Sequence, residues 1–402
     1  MVTGGLEGAG VFGEVTTRQA GDDDAVCGVR PRWVALPETV EEIAAVLRAC
    51  AERDLAVVPA GGGTKLHWAP PPERCDVLLD LCCMNEVLEH AAGDLVVRAQ
   101  AGVTIAALSA ALAGEGQELA LDVPFGEDAT VGGTLAAPLP GPRAFRYGTA
   151  RDLLIGITVV LPDGTVARSG GKVVKNVAGY DLGKLFTGSY GTLGVIAEAT
   201  FRLHPMPPER RWVVAELGGA RVPAVAAALA ASQAEPSAVE VDRPDPAGPL
   251  TLAALVEGTA AQTRGETLRE LIGPAEVSGE PPSWWGQVFG DDVLVEVRFP
   301  ASGTAAVLDA AAGCGLSLRG SPVAGRVLLE PGRELDEDEL AATVSGLREK
   351  VEAAGGRVSV LAAPCQGVDR WGHVSGLPLM RRVKERFDPG RRMSPGRFVG
   401  GI

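Results

Sequence analysis

Between Gly170 and Glu198 the chain places glycine at 170, 171, 179, 183, 188, 191 and 194, interleaved with Lys, Asn, Thr and Ser. Without a Cβ, glycine lets backbone approach backbone or a ligand closely and takes left-handed turns at no steric cost. Such a stretch makes a poor helix and a poor core strand. It restricts the chain to folds that can use a glycine-lined surface, either as ordinary turns or as the seat of a large ligand.

Two upstream segments share this character. Leu55 to Val58 reads as a short buried strand ending in Pro59-Ala60-Gly61-Gly62-Gly63-Thr64-Lys65. A glycine run after a buried strand exposes consecutive N–H groups, a nest suited to the oxygens of a pyrophosphate. It is not an ATP-hydrolysing P-loop, which would need glycine where Pro59 and Thr64 stand and a hydroxyl where Leu66 stands. The second segment, Thr130-Val131-Gly132-Gly133-Thr134-Leu135-Ala136, is a small-residue turn that also reads as a tight helix start.

At 402 residues the chain has room for two or three domains. Its net charge of -14 disfavours nucleic acid or an anionic membrane as partner. Apolar runs such as Leu153 to Leu161 fall short of the ~20 residues that cross a bilayer, which predicts a cytoplasmic protein. Seven cysteines (27, 50, 75, 82, 83, 314, 365) show no CxxC and read as reduced thiols rather than iron–sulfur ligands.

In chain order, Met1 to Asp24 lacks an amphipathic period, and residues 1–30 are expected to form an N-terminal arm. Thr39 opens a helix to about Arg53, and strands follow over Asp76 to Leu81 and Asp94 to Gln100. Thr104 caps a helix to Ala113, and Pro162-Asp163-Gly164 turns a hairpin after the strand Leu153 to Leu161. Pro205-Met206-Pro207-Pro208 marks a domain boundary. Beyond it, Trp212–Leu217, Val222–Ala234, Ala238–Asp242, Leu250–Glu257, Ala261–Ile272 and Val293–Phe299 read as βαββαβ, a ferredoxin-like order. Segments 302–312, 325–330, 336–353 and 357–361 extend this part. The adjacent Trp284 and Trp285 read as packing.

Lys175-Asn176-Val177-Ala178-Gly179-Tyr180-Asp181-Leu182 followed by Gly188-Ser189-Tyr190-Gly191-Thr192-Leu193-Gly194-Val195-Ile196 resembles the FAD-binding domain of the vanillyl-alcohol-oxidase (PCMH) type. Within that superfamily it looks most like the FAD-binding E subunit of glycolate oxidase. The resemblance implies an α+β fold: a two-part PCMH-type FAD-binding domain over 31–205, a ferredoxin-like antiparallel cap over 206–362, and a segment 363–402 returning to the FAD domain. FAD is then held non-covalently, since the His that carries covalent flavin in some members is replaced by Gly63 and Thr64, and His67 is a loop residue. The implied cofactor contacts are Pro59, Ala60, Gly61, Gly62, Gly63, Thr64, Thr130, Val131, Gly132, Gly133, Ala136, Gly148, Asp152, Lys175, Gly179, Gly191, Val195 and Ile196. The family often carries Asn where this chain has Ser394.

The implied reaction is oxidation of glycolate or a related D-2-hydroxy acid. The implied partners are a larger FAD-binding subunit and an iron–sulfur subunit, which can bring the chain to the inner face of the membrane. A self-sufficient FAD-dependent dehydrogenase or oxidase, and a non-catalytic FAD-binding scaffold, stand as alternatives. No catalytic base is identified. Arg143, Arg146, Lys172, Lys175 and Tyr180 are candidates for touching substrate. No metal is expected, because none of the four histidines (67, 90, 204, 373) lies between Pro205 and Gly372.

Overall fold

A computed structural model of the chain describes residues 11–171, 181–290, 292–365 and 367–402. The chain folds as two units, one comprising Met1–Leu139, Thr149–Met206 and Val374–Ile402, the other Pro140–Gly148 and Pro207–His373.

The first unit holds two sheets. In the smaller, β1 (Thr16–Gln19), β2 (Trp33–Leu36), β3 (Val57–Ala60) and β4 (Val77–Asp80) lie in the order β1-β2-β4-β3. Strands β2, β4 and β3 are parallel, and helix α1 (Val40–Glu52) connects β2 to β3, its start set by the Thr39 hydroxyl accepting from Glu42 N–H. Val40, Ile43, Ala44, Val46, Leu47 and Cys50 make its buried face at helical spacing. Strand β1 corrects the expected arm: Thr16–Gln19 pairs antiparallel with β2, anchored by Phe12 and Val15 in the core of this sheet. Its polar sequence, TTRQ, carries no period because it is an edge strand held by backbone bonds.

The larger sheet is antiparallel: β5 (Val87–Ala91), β6 (Val96–Gln100), β8 (Leu154–Val160), β9 (Val166–Gly170) and β10 (Val195–Arg202), in the order β5-β6-β10-β8-β9. A two-residue pair, β7 (Gln117–Glu118) with β11 (His204–Pro205), lies outside both. The β8–β9 hairpin closes as expected at Gly164, with φ +81°. Helices α2 (Ile105–Ala113), α3 (Val131–Ala136), α5 (Ala150–Leu153) and α6 (Gly183–Phe186) belong to this unit, with residues of each but α6's Gly183 and Lys184 in the core built around Val97, Leu108, Leu135, Leu153 and Phe201.

The second unit is one eight-stranded antiparallel sheet with helices on one face. The expected βαββαβ order is present, but twice. Strands β12 (Arg210–Leu217), β13 (Ala238–Arg243), β14 (Leu250–Glu257) and β15 (Glu276–Ser278) with helices α7 (Val222–Ala230) and α8 (Ala261–Ile272) complete one ferredoxin-like motif. Strands β16 (Leu294–Arg298), β17 (Leu316–Ser321), β18 (Arg326–Pro331) and β19 (Arg357–Ala362) with α9 (Thr304–Gly313) and α10 (Glu337–Ala353) complete a second. The sheet order β15-β12-β14-β13-β17-β18-β16-β19 is a mirrored pair joined where β13 meets β17. Val293–Phe299, read as the last strand of one motif, is therefore the first strand of the next. The true fourth strand, β15, has three residues and no apolar run. Pro140–Gly148, with the four-residue helix α4 (Ala144–Tyr147), also belongs here rather than with its sequence neighbours.

The chain then returns to the first unit through helix α11 (Leu377–Phe387). Phe387 meets Phe186 edge-on at 5.8 Å, and Met393 forms a parallel bridge with Val57 of β3.

Candidate functional site

The first unit contains a cleft of about 840 Å³, counting its open mouth, whose floor is the end of β3 and the loop that follows. Pro59, Ala60, Gly61, Gly62, Gly63 and Thr64 line it, with Thr130, Gly132, Gly133 and Ala136 from the turn into α3 and Gly191 and Ile196 from the glycine-rich stretch. The N–H groups of Gly61, Gly62, Gly63 and Thr64 donate to no protein acceptor among the described residues. Four consecutive donors open to a cleft are what an anionic ligand with several oxygens requires.

The glycines are needed for a reason the sequence does not show. A Cβ on Gly61 would strike the Thr130 hydroxyl, and one on Gly62 would strike the Asp128 carbonyl. A Cβ on Gly132 would lie 2.8 Å from the Ala101 Cβ. The small residues let the β3 loop and the α3 turn close on the protein's own atoms, so a side chain at Gly62 or Gly132 would collide within the protein before it met a ligand. Thr130 fixes the second wall by accepting from Gly133 N–H at 3.2 Å, while Gly132 N–H reaches Ala101 O at 2.8 Å.

Other expected contacts lie elsewhere. Val131 and Val195 are fully buried in the hydrophobic cores and absent from the cleft lining. Asp152 caps α5, accepting from Thr149 N–H at 2.8 Å and Thr149 Oγ1 at 2.7 Å, which holds its carboxyl below the usual range. Gly148 ends α4 in the second unit with φ +86°. Lys175 and Gly179, with Lys172 and Tyr180, lie outside the described residues.

Of the remaining candidate substrate contacts, Arg143 and Arg146 sit in the second unit in ion pairs with Glu257 and Glu235. Glu257 is buried; burial opposes its charge, but a hydrogen bond from Ser237 together with Arg143 and Arg210 keeps its carboxyl below the ordinary value. It also accepts from Tyr147 Oη at 3.0 Å, and burial together with that carboxylate pushes Tyr147 up to about 12. Glu296, fully buried, is clasped in the same way by Arg326 and Arg298.

Several cleft residues escaped the sequence reading: Lys65, Leu66, Ala101, Tyr190, Gly194 and Arg397. Lys65 is detectable in principle as the last residue of the glycine run, and its Nζ reaches Ala137 O at 3.1 Å. Arg397 arrives with the tail after α11. It is 3 % exposed, and its Nη2 donates to Leu66 O at 2.6 Å and Trp68 O at 2.7 Å, directly behind the nest. Ser394 takes φ +41°, a left-handed conformation that suits the Asn frequent in the resembled family, and its buried Oγ lies beside Gly191 without a hydrogen-bond partner. The cleft thus offers open N–H donors, orphaned buried polar atoms and glycine walls, which fit a dinucleotide cofactor.

Residues 31–170 match the FAD binding domain family. D-lactate dehydrogenase [cytochrome] 1 of Saccharomyces cerevisiae is 38% identical over 181 residues, 44% of this chain and 30% of that protein. Glycolate oxidase subunit GlcD of Bacillus subtilis is 36% identical over 185 residues, 46% of this chain and 39% of that one. The match thus spans less than two fifths of either relative. An FAD-linked oxidoreductase of Mycobacterium tuberculosis is 29% identical over 92% of this chain and 91% of its own length. Among solved structures, alkyldihydroxyacetonephosphate synthase shares the fold with a TM-score of 0.71 at 18% identity, over 92% of this chain and 78% of the other. Among the described residues no helix is long and apolar enough to cross a membrane. Residues 31–170 thus form an FAD-binding domain, and the cofactor is FAD.

Proposed function

We propose that the chain is an FAD-dependent oxidoreductase of CH–OH groups that oxidises glycolate or a related D-2-hydroxy acid to the 2-oxo acid, as the FAD-binding subunit of a multi-subunit glycolate oxidase. The observation that carries the cofactor half is the row of four open N–H groups from Gly61 to Thr64 in a glycine-walled cleft. The activity rests on relatives whose names include a D-lactate dehydrogenase and a glycolate oxidase subunit. Bound FAD supplies the two-electron acceptor for the substrate's C2 hydrogen, while the hydroxyl proton passes to a base. The chain's own residues orient the cofactor: the β3 loop takes its anionic centre, and Thr130 and Gly132 hold the facing wall at a fixed separation.

The subunit reading, with a larger FAD-binding subunit and an iron–sulfur subunit as partners, finds support in α11. Its outer face presents Leu379, 57 % exposed, in line with Arg382 and Arg386. Arg381, Arg382, Arg386 and Arg391 are exposed here, with Glu385 as the exposed acid of the helix, in a chain of net charge -14. A basic, partly apolar face on an acidic protein suits an acidic protein partner. Anaerobic mixing of the isolated flavoprotein with glycolate, D-lactate and D-2-hydroxyglutarate tests the reading. Slow or no bleaching alone, accelerated by the partner subunits, is expected. Rapid, saturable bleaching by the chain alone would replace the subunit with a self-sufficient dehydrogenase.

A further inference from the structure

Arg397 is a guanidinium buried to 3 % exposure that forms no ion pair among the described residues. Its Nη2 is committed to the carbonyls of Leu66 and Trp68, and its Nη1 has no hydrogen-bond partner. Buried arginines are ordinarily matched to a carboxylate, because an uncompensated charge away from water is costly. Among the described residues, no Asp or Glu lines the cleft that Arg397 lines. The two carbonyls it holds sit just past the nest, where Leu66 N–H closes onto Gly63 O and Trp68 N–H onto Lys65 O.

The residue is also held from its own side. Arg397 N–H donates to Ser394 O, and Ser394 N–H donates to Val57 O of the strand that leads into the nest. Farther back, the buried Lys384 Nζ donates to Thr192 O at 2.8 Å, Met393 O at 2.9 Å and Asp388 at 2.8 Å, tying the tail to the wall that carries Gly191. A side chain fixed at both ends against one loop is a preset charge rather than a mobile one.

We infer that Arg397 is the counter-ion of the cofactor's pyrophosphate: its missing carboxylate is supplied by a diphosphate diester or diphosphate bound on the Gly61–Thr64 loop. The inference rests on the FAD reading of the cleft and adds to it a charge contributed by the tail. Ligands carrying the diphosphate depend on Arg397, and ligands lacking it do not.

The test is equilibrium titration of the flavin-stripped protein with FAD, ADP and riboflavin, followed by flavin fluorescence and by thermal shift, so that no turnover is needed. Arg397→Gln is expected to weaken FAD and ADP at least about tenfold, the loss of one charge-assisted contact, and to leave riboflavin within about twofold. Arg397→Lys, which keeps the charge, is expected to regain most of the ADP affinity and covers the case in which the Gln variant does not fold. Equal weakening of ADP and riboflavin would make Arg397 a packing residue and overturn the inference, as would unchanged ADP affinity in Arg397→Gln or failure of the Lys variant to bind ADP. A wild-type protein that binds neither FAD nor ADP would remove the cofactor reading itself.

Discussion

The sheet of the second unit and the cleft of the first differ in how their charged and polar groups are matched. On the sheet of the second unit, three buried carboxylates are closed by arginines: Glu257 by Arg210 and Arg143, Glu296 by Arg326 and Arg298, and Asp242 by Arg319 at 2.8 Å. In the cleft of the first unit, four N–H donors and Arg397 line a space with no protein anion among the described lining residues. Closed charge specifies a fold, whereas open charge in a shaped cavity specifies a ligand. The open donors mark the first unit's cleft as a place suited to an anionic ligand.

The largest expected effect breaks the open side. Gly62→Val drives a branched side chain into the Asp128 carbonyl, so the loop must leave its seat and the purified protein should lose its flavin, read as the absorbance released on acid precipitation. Full flavin occupancy in that variant would show that the loop tolerates displacement. On the closed side, Glu296→Ala strands Arg326 and should cost about 3 kcal/mol in denaturant unfolding of the second unit while leaving FAD affinity unchanged.

The same substitution sharpens the comparison through pH. Glu257 and Glu296 ionise below their usual value, so their contribution is present above the ordinary glutamate value near 4.5 and is lost as pH falls through the depressed one. Acid should destabilise the wild type over that range, and Glu296→Ala should show a shallower loss. The smallest effect belongs to Asp152, which the structure places in a helix cap. Asp152→Ala should cost about 1 kcal/mol in thermal unfolding with FAD occupancy retained.

Local chemistry was readable from sequence wherever it was carried by neighbours. The Thr39 and Thr104 caps, the Gly164 hairpin and the β3 strand running into Gly61 each depend on residues a few positions apart. What escaped depends on distance along the chain. Arg397 meets Leu66 across 331 positions: the resemblance implied that residues 363–402 return to the FAD domain, but not which side chain meets which loop. Strand β15 escaped because three residues at a sheet edge need only backbone pairing, and its absence shifted β16 into the wrong motif. The glycine run marks tight space at Gly62, but the Asp128 carbonyl that occupies it lies 66 positions away and leaves no local signal.

The return of residues 374–402 to the first unit has a consequence for biosynthesis. Residues 207–373 emerge from the ribosome between the two parts of that unit, an interval on the order of ten seconds at roughly 5–20 residues per second. The second unit has its own core and can form in that interval, while the nest waits for Met393 to pair with Val57 and for Arg397 to reach Leu66. A chain stalled before residue 374 would therefore carry a complete second unit and a first unit lacking Met393 and Arg397.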